Sequence, residues 1–215
     1  MKCLKSKIQE YEAFFGQPHE QSFDLVGGQG AVMVSAPHSA EQTRRGKIKC
    51  AEPQTGVLAR LLHDDMHCPV IYKTGNCTDD ANYDKTSPYK DALVSYIESN
   101  GIRFLIDLHQ LSPKRDVGID FGTAGFKNIY DLELLNILLG EFSMQDIGRI
   151  QIDVPFSASC PNTIATYTHH RCKIQSVQIE INSGLLYGDG ADLYFEKVYI
   201  ALRNSIRQIN DYLVK

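Results

Sequence analysis

Residues 87–109 read SPYKDALVSYIESNGIRFLIDLH, and this stretch decides the fold class. Ser87 has the short oxygen-bearing side chain that caps a helix, and Pro88 suits the first helical position because its missing N–H would be unpaired there anyway. Asn100 and Gly101 supply the matching stop. Phe104 to Leu108 then runs apolar for a strand's length, so the segment is a helix feeding directly into a strand. The pattern repeats outward from it. A helix is expected over Thr55 to Met66 and a strand over Pro69 to Tyr72. Further strands are expected over Val117 to Phe121, Ile150 to Val154 and Val177 to Ile181, with a helix over Ile129 to Phe142. Alternation of this kind implies right-handed crossovers and strands covered on both faces.

The expected architecture is therefore α/β in three layers, a mostly parallel or mixed sheet with helices on both faces, formed as a single domain over residues 1–215. At the amino end, an amphipathic helix closes at Tyr11 to Phe15 and is ended by Gly16 and Pro18. Phe23 to Val26 and Ala31 to Ala36 flank Gly27, Gly28, Gln29 and Gly30, which read as a hairpin turn. A dinucleotide fingerprint needs strand, turn and then helix, and here a strand follows the glycines. At the carboxyl end, Phe195, Val198, Leu202, Ile206, Ile209 and Leu213 recur at helical spacing and form one core-facing stripe.

Composition excludes several classes. With 22 Lys and Arg against 26 Asp and Glu, the net charge of −4 offers no broad basic surface for nucleic acid. The 43% hydrophobic and 22% charged content is that of a globular chain rather than a disordered one. No run of 18 apolar residues occurs and the amino-terminal segment lacks the pattern of a secretory signal, so a cytoplasmic protein without membrane partners is expected. The six cysteines form no Cys-x-x-Cys pair and are expected to be reduced.

Three short segments concentrate ionisable chemistry at strand ends. His38 follows Pro37 just past the strand ending at Ala36, and Glu41 lies three residues on. In a turn that spacing can bring an imidazole nitrogen and a carboxylate onto one ion at roughly 2.0–2.2 Å, distances that zinc accepts. In Asp107-Leu108-His109 the period of two places Asp107 and His109 on one face, at the carboxyl edge where open α/β sheets bind ligands. In Gln178-Ile179-Glu180-Ile181-Asn182 the isoleucines take one face, and Gln178, Glu180 and Asn182 the other. A polar face on a buried strand needs an explanation, and an adjacent metal or a wet cleft provides one, as does an edge position in the sheet.

Ala36-Pro37-His38-Ser39, Asp107-Leu108-His109 and Gln178-Ile179-Glu180-Ile181-Asn182 together resemble the N-formylglutamate amidohydrolase family. The order His38-x-x-Glu41, His109, Glu180 is similar to that of the zinc ligands and catalytic glutamate of metallocarboxypeptidases. The resemblance spans roughly residues 31–187. It implies a zinc carboxypeptidase-like fold, one Zn²⁺ held by His38, Glu41 and His109, and Glu180 as general base. The implied activity is hydrolysis of the amide bond of an N-formyl or N-acyl amino acid. A metallocarboxypeptidase-like peptidase and a non-catalytic metal-containing binding protein of the same fold are the alternatives. Some members of the family have an Asn-Arg pair in the loop over residues 74–87, where the arginine would hold a substrate carboxylate. Here Asn82 is followed by Tyr83, so a small-molecule or short-peptide substrate with a carboxylate would be met by other residues, expected to be Arg115, Asn82 and Arg45. A separate possibility is a thiol nucleophile, since Tyr167 to Cys172 sets His169 and His170 beside Cys172.

Overall fold

A computed structural model describes residues 4–188 and 191–214. Nine strands and six α-helices follow one another as α1 (Leu4–Phe15), β1 (Phe23–Val26), β2 (Val32–Ala36), β3 (Gln42–Arg44), β4 (Lys47–Lys49), α2 (Pro53–Met66), β5 (Val70–Lys73), α3 (Pro88–Ser99), β6 (Phe104–Leu111), β7 (Ile119–Gly122), α4 (Leu132–Met144), β8 (Ile150–Ile152), α5 (Ile164–Cys172), β9 (Gln175–Asn182) and α6 (Ala191–Val214). Seven strands form one sheet in the order β1-β5-β2-β6-β9-β7-β8, and β3 pairs with β4 alone. β2 is parallel to β5 and β6, β6 to β9, and β7 to β8, whereas β1 and β9 meet β5 and β7 antiparallel. The sheet is mixed with a parallel centre, in the three-layer α/β arrangement read from the sequence.

The period of two sorts the strands between two cores. Val32, Val34, Phe104, Ile106, Val177 and Ile179 pack with buried side chains of α1, α2, α4 and α6. Met33, Leu105 and Ile71 pack with Tyr89, Leu93 and Ile97 of α3 and Ile164 of α5. Every member of the stripe from Phe195 to Leu213 is buried. Ser87 caps α3 by accepting from the Lys90 amide at 3.2 Å, as the start signal requires.

The structure corrects two local readings. Gly27–Gly30 does not turn a hairpin, because β5 lies between β1 and β2 in the sheet. The loop instead crosses the end of β5, and a Cβ on Gly28 would lie 2.2 Å from the His67 carbonyl oxygen. Residues 164–172 form helix α5, an element not among those expected from the sequence. Cys50, Cys68, Cys77, Cys160 and Cys172 are free thiols, and Cys3 lies outside the described residues. Among the described residues no helix is long and apolar enough to cross a membrane.

Because α6 closes one face of the sheet, Leu202→Ala is expected to lose about 2–5 kcal/mol of stability in urea unfolding. Leu193→Ala in the same helix, at a side chain 58% exposed, should stay within about 0.5 kcal/mol of the parent. Equal losses at the two positions would contradict the packing described.

Candidate active site

The parallel strands β2, β5, β6 and β9 all deliver their carboxyl ends to one side of the sheet. His38 sits in the turn after β2, with the Ser39 amide and hydroxyl both bonded to the Ala36 carbonyl. His109 is on β6, directly beside Glu180 of β9 in the parallel register, and Asp120 of β7 is the antiparallel neighbour of Glu180. β9 is an interior strand with all eight residues buried, so its polar face is not that of an edge strand. It borders a cavity of about 540 Å³ whose lining includes His38, Glu52, His109, Gln178 and Glu180.

The carboxylate that meets the two histidines is Glu52, and not Glu41. Glu52 is the residue before Pro53, at the amino end of α2, and its backbone N–H donates to the His38 carbonyl at 2.7 Å. The helix dipole favours a carboxylate at that end. Glu41 is exposed at the start of the β3–β4 excursion and lies outside the group formed by His38, Glu52 and His109. The sequence signal for Glu52 is its place as a carboxylate immediately before a proline that opens a helix. An apolar periodicity that starts only at Thr55 sets the expected helix two residues too late to reveal it.

Hydrogen bonding fixes the state of both rings. His38 Nε2 faces Asp80 Oδ1 at 2.9 Å, and His109 Nε2 faces Asp107 Oδ2 at 3.0 Å. Carboxylates only accept, so each Nε2 carries the proton, and in a neutral ring each Nδ1 is left as a bare lone pair. Those two Nδ1 atoms are 3.2 Å apart, and they lie 3.3 Å and 3.5 Å from the Glu52 oxygens. Three acceptors converging in this way repel unless a cation or shared protons sit among them. Ligand atoms about 2.0–2.1 Å from a tetrahedral ion are separated by about 3.3–3.4 Å, so the donor set fits zinc in both chemistry and spacing. Asp80 and Asp107 are the outer carboxylates that commonly orient histidines bound to a metal.

The electrostatics follow the same pattern. Burial opposes the charge on Glu52, but the His38 charge and hydrogen bonds from both rings hold its pKa down to about 2. Burial likewise disfavours charge on His38, and Glu52 and Asp80 outweigh it, so its pKa is raised. Burial also works against a charged His109, yet the Asp107 and Glu52 carboxylates overcome it and lift its pKa well above the ordinary histidine value. Asp80, itself desolvated, is held low by His38 and Arg44. Glu180 moves the other way: desolvation pushes it up to about 7, partly offset by His109.

The residues expected to bind substrate are dispersed. Asn82 lines the cavity, but its side-chain oxygen already accepts from the Ile164 amide at 2.7 Å. Arg45 is exposed and stacks on the Tyr83 ring at 5.2 Å, and it is its neighbour Arg44 that lines the cavity. Arg115 does not line it either. Its guanidinium is exposed and stacks on Phe156, 5.1 Å from the ring centre. A thiol nucleophile is disfavoured, because burial pushes Cys172 up to about 11 and His169 Nδ1 is engaged with the Ile174 carbonyl.

The fold is a mixed, centrally parallel α/β sheet with this His-Glu-His group at its carboxyl edge. No family model matches the sequence, and no curated protein matches it. Among solved structures, the chain is similar to a bacteriophage poly-gamma-glutamate hydrolase (TM-score 0.59, 12% identity, covering 93% of this chain and 94% of that one). It is also similar to N-formylglutamate amidohydrolase from Ralstonia eutropha JMP134 (TM-score 0.59, 14% identity, 87% of this chain and 99% of that one). A metallo-carboxypeptidase from Burkholderia cenocepacia is a third (TM-score 0.54, 12% identity, 94% of this chain and 70% of that one). At these identities the likeness is one of fold.

Glu52→Gln should lose most zinc binding in a chelator-competition titration while Glu41→Gln keeps it, and the reverse result would restore Glu41 to the site. In the metal-free protein, the raised histidines contribute stability that is complete below their ordinary value of 6.5 and is lost as pH rises through the folded values. The depressed Glu52 contributes stability that is complete above about 4.5 and is lost as pH falls toward about 2. Chelated protein should therefore owe most to this site between about pH 4.5 and 6.5. Zinc competes with the ring protons, so the Tm increment it gives should grow from about pH 6 to about pH 8. Scanning calorimetry that found a flat or falling increment would remove the histidines from the metal site.

Proposed function

We propose that the protein is a zinc-dependent hydrolase that cleaves the amide bond of an N-formyl or N-acyl amino acid or a short peptide carrying a carboxylate. The observation behind this reading is the convergence of His38 Nδ1, His109 Nδ1 and the Glu52 carboxylate on the wall of the cavity that Glu180 also borders. The hydrolase names of the structures with a similar fold support the same class. Zinc held there would supply a Lewis acid for the scissile carbonyl and would lower the pKa of water at the site.

The chain's own groups supply the rest. Glu180 Oε1 accepts from Gln178 Nε2 at 3.0 Å, which fixes the carboxylate, while Oε2 has no hydrogen-bond partner among the described residues. A carboxylate pushed up to about 7 by burial can take a proton from the attacking water and return it to the leaving amine near neutral pH. Asp107 and Asp80 keep the two imidazoles in one tautomer throughout. The loop Val154–Ala158 forms a fixed wall opposite, because Asp120 accepts from the Val154 and Phe156 amides at 3.0 and 2.8 Å.

Glu180→Gln should keep stoichiometric zinc and reduce hydrolysis by about 10²- to 10⁴-fold. Metal analysis together with a screen of N-formyl, N-acetyl and carboxyl-terminal peptide substrates measures both. Zinc-loaded parent protein that turned over none of them would favour a binding protein, and undiminished activity in the variant would remove Glu180 from the mechanism.

A further inference from the structure

We infer that Arg44 and Lys49, presented by the β3–β4 hairpin, form the receptor for a carboxylate of the substrate and so set the specificity of the site for anionic acyl or peptide substrates. The inference rests on the hydrolytic reading of the same cavity. β3 and β4 pair with Gln42 opposite Lys49 and Arg44 opposite Lys47. The period of two therefore puts Gln42, Arg44, Lys47 and Lys49 on one face of the ribbon. Three of those four, Gln42, Arg44 and Lys49, line the cavity. Ile48, on the other face, is 67% exposed.

Arg44 is held in place rather than free to sweep through solvent. Its Nε donates to Asp80 Oδ2 at 2.7 Å, and its guanidinium lies over the Tyr83 ring, 4.9 Å from the centre. Its two terminal nitrogens have no hydrogen-bond partner among the described residues, which leaves the fork that matches a carboxylate bidentately. Asp80 is fully buried, and its other oxygen holds His38. One carboxylate thus sets both the metal-facing imidazole and the anion-facing guanidinium in a fixed relation. Lys49 makes no ion pair among the described residues. Apart from the histidines, the charged residues on the cavity wall are Glu52 and Glu180 of the proposed centre and these two cations. With a divalent ion beside Glu52, the groups on the cavity wall sum to a positive charge, set against the buried Asp80 behind Arg44 and Asp107 behind His109, and an anionic substrate would meet the positive wall.

The test is calorimetric titration of zinc-supplemented Glu180→Gln protein, which binds without turnover, with N-acetyl-L-glutamate and with its diamide. The free acid should bind at least about tenfold more tightly, as expected for one charge-assisted contact. Adding Arg44→Ala should abolish that preference, Arg44→Lys should restore part of it, and Lys49→Ala, at an exposed position, should weaken it without affecting the fold. Zinc content, read by mass spectrometry, should stay unchanged in the Arg44 and Lys49 variants. Equal affinity for acid and diamide, no binding of either, or a preference that survives Arg44→Ala would overturn the assignment. In parallel, turnover by the parent protein with no preference for acids would sink this inference alone. Acid preference dependent on Arg44, without turnover of any substrate, would sink the hydrolytic reading alone.

Discussion

The site depends on two hydrogen bonds at the far sides of its histidines. Asp80 and Asp107, both fully buried, take the Nε2 protons of His38 and His109. Had either ring met a donor on its far side instead, its inner Nδ1 would carry the hydrogen and the pair could satisfy each other. With both outer positions committed to acceptors, the inner Nδ1 atoms of neutral rings confront each other and the Glu52 carboxylate as lone pairs. Close-packed surroundings prevent them from moving apart, since His38 and His109 are 5% and 2% exposed. An arrangement that is repulsive when its rings are neutral, and whose donor spacings suit a tetrahedral ion, is one that could hold a metal.

Sheet order is what brings these groups together. β2, β6 and β9 contribute His38, His109 and Glu180 from, or just beyond, their carboxyl ends, and the loop that follows β5 contributes Asp80. β5, β2, β6 and β9 are consecutive neighbours in the sheet. On the upstream part of the same face, Met33, Ile71 and Leu105 pack under α3 and α5. The apolar residues give way to Ser35, Asp107, His109, Gln178 and Glu180 only as the strands emerge. A face that changes from packing to polar along its own length can bury charged groups because they are paired with one another and with the cavity. That is the condition under which buried charge is tolerated.

Much of this was legible in the sequence, and the limits were physical. The strand period exposed Asp107, His109 and Glu180, because a polar residue on alternate positions of a buried strand is visible without any tertiary information. The stripe of α6 was legible for the same reason. Glu52 was not, because its partnership with His38 is made across a two-stranded excursion whose outer strand, Lys47–Lys49, is wholly exposed and has no apolar pattern to reveal it. Proximity in sequence favoured Glu41, yet the chain turns outward there and returns at residue 52 through the Glu52 N–H to His38 carbonyl bond. The pairing of β1 with β5 rather than β2 was hidden in the same way, since strand order is a property of non-local contacts. α5 escaped notice because Ile164, Ala165, Thr166 and Thr168 are its buried positions, too weak an apolar stripe to stand out from a loop.

The β3–β4 excursion that concealed Glu52 also explains why a hairpin belongs at this point in the chain. A direct turn from His38 to α2 could place the carboxylate on the histidine, but it would leave the cavity without its upper wall on that side. Extending the connection as a two-stranded ribbon allows a period-two face of Gln42, Arg44 and Lys49 to stand over the cavity that His38, Glu52 and His109 line. Its register is fixed by its own pairing and by the Thr43 amide, which donates to the Asp79 carbonyl at 3.0 Å. Asp79 is in turn paired with the buried Lys73 at the end of β5, so the ribbon is tied to the sheet rather than carried as a free flap. The opposite wall is equally fixed: Asp153 accepts from the Thr123 and Gly125 amides and the Thr123 hydroxyl at 2.6 to 2.9 Å. The two anchored walls thus differ in character, one cationic and one shaped by the Val154–Ala158 loop, and each is held by hydrogen bonds to the sheet.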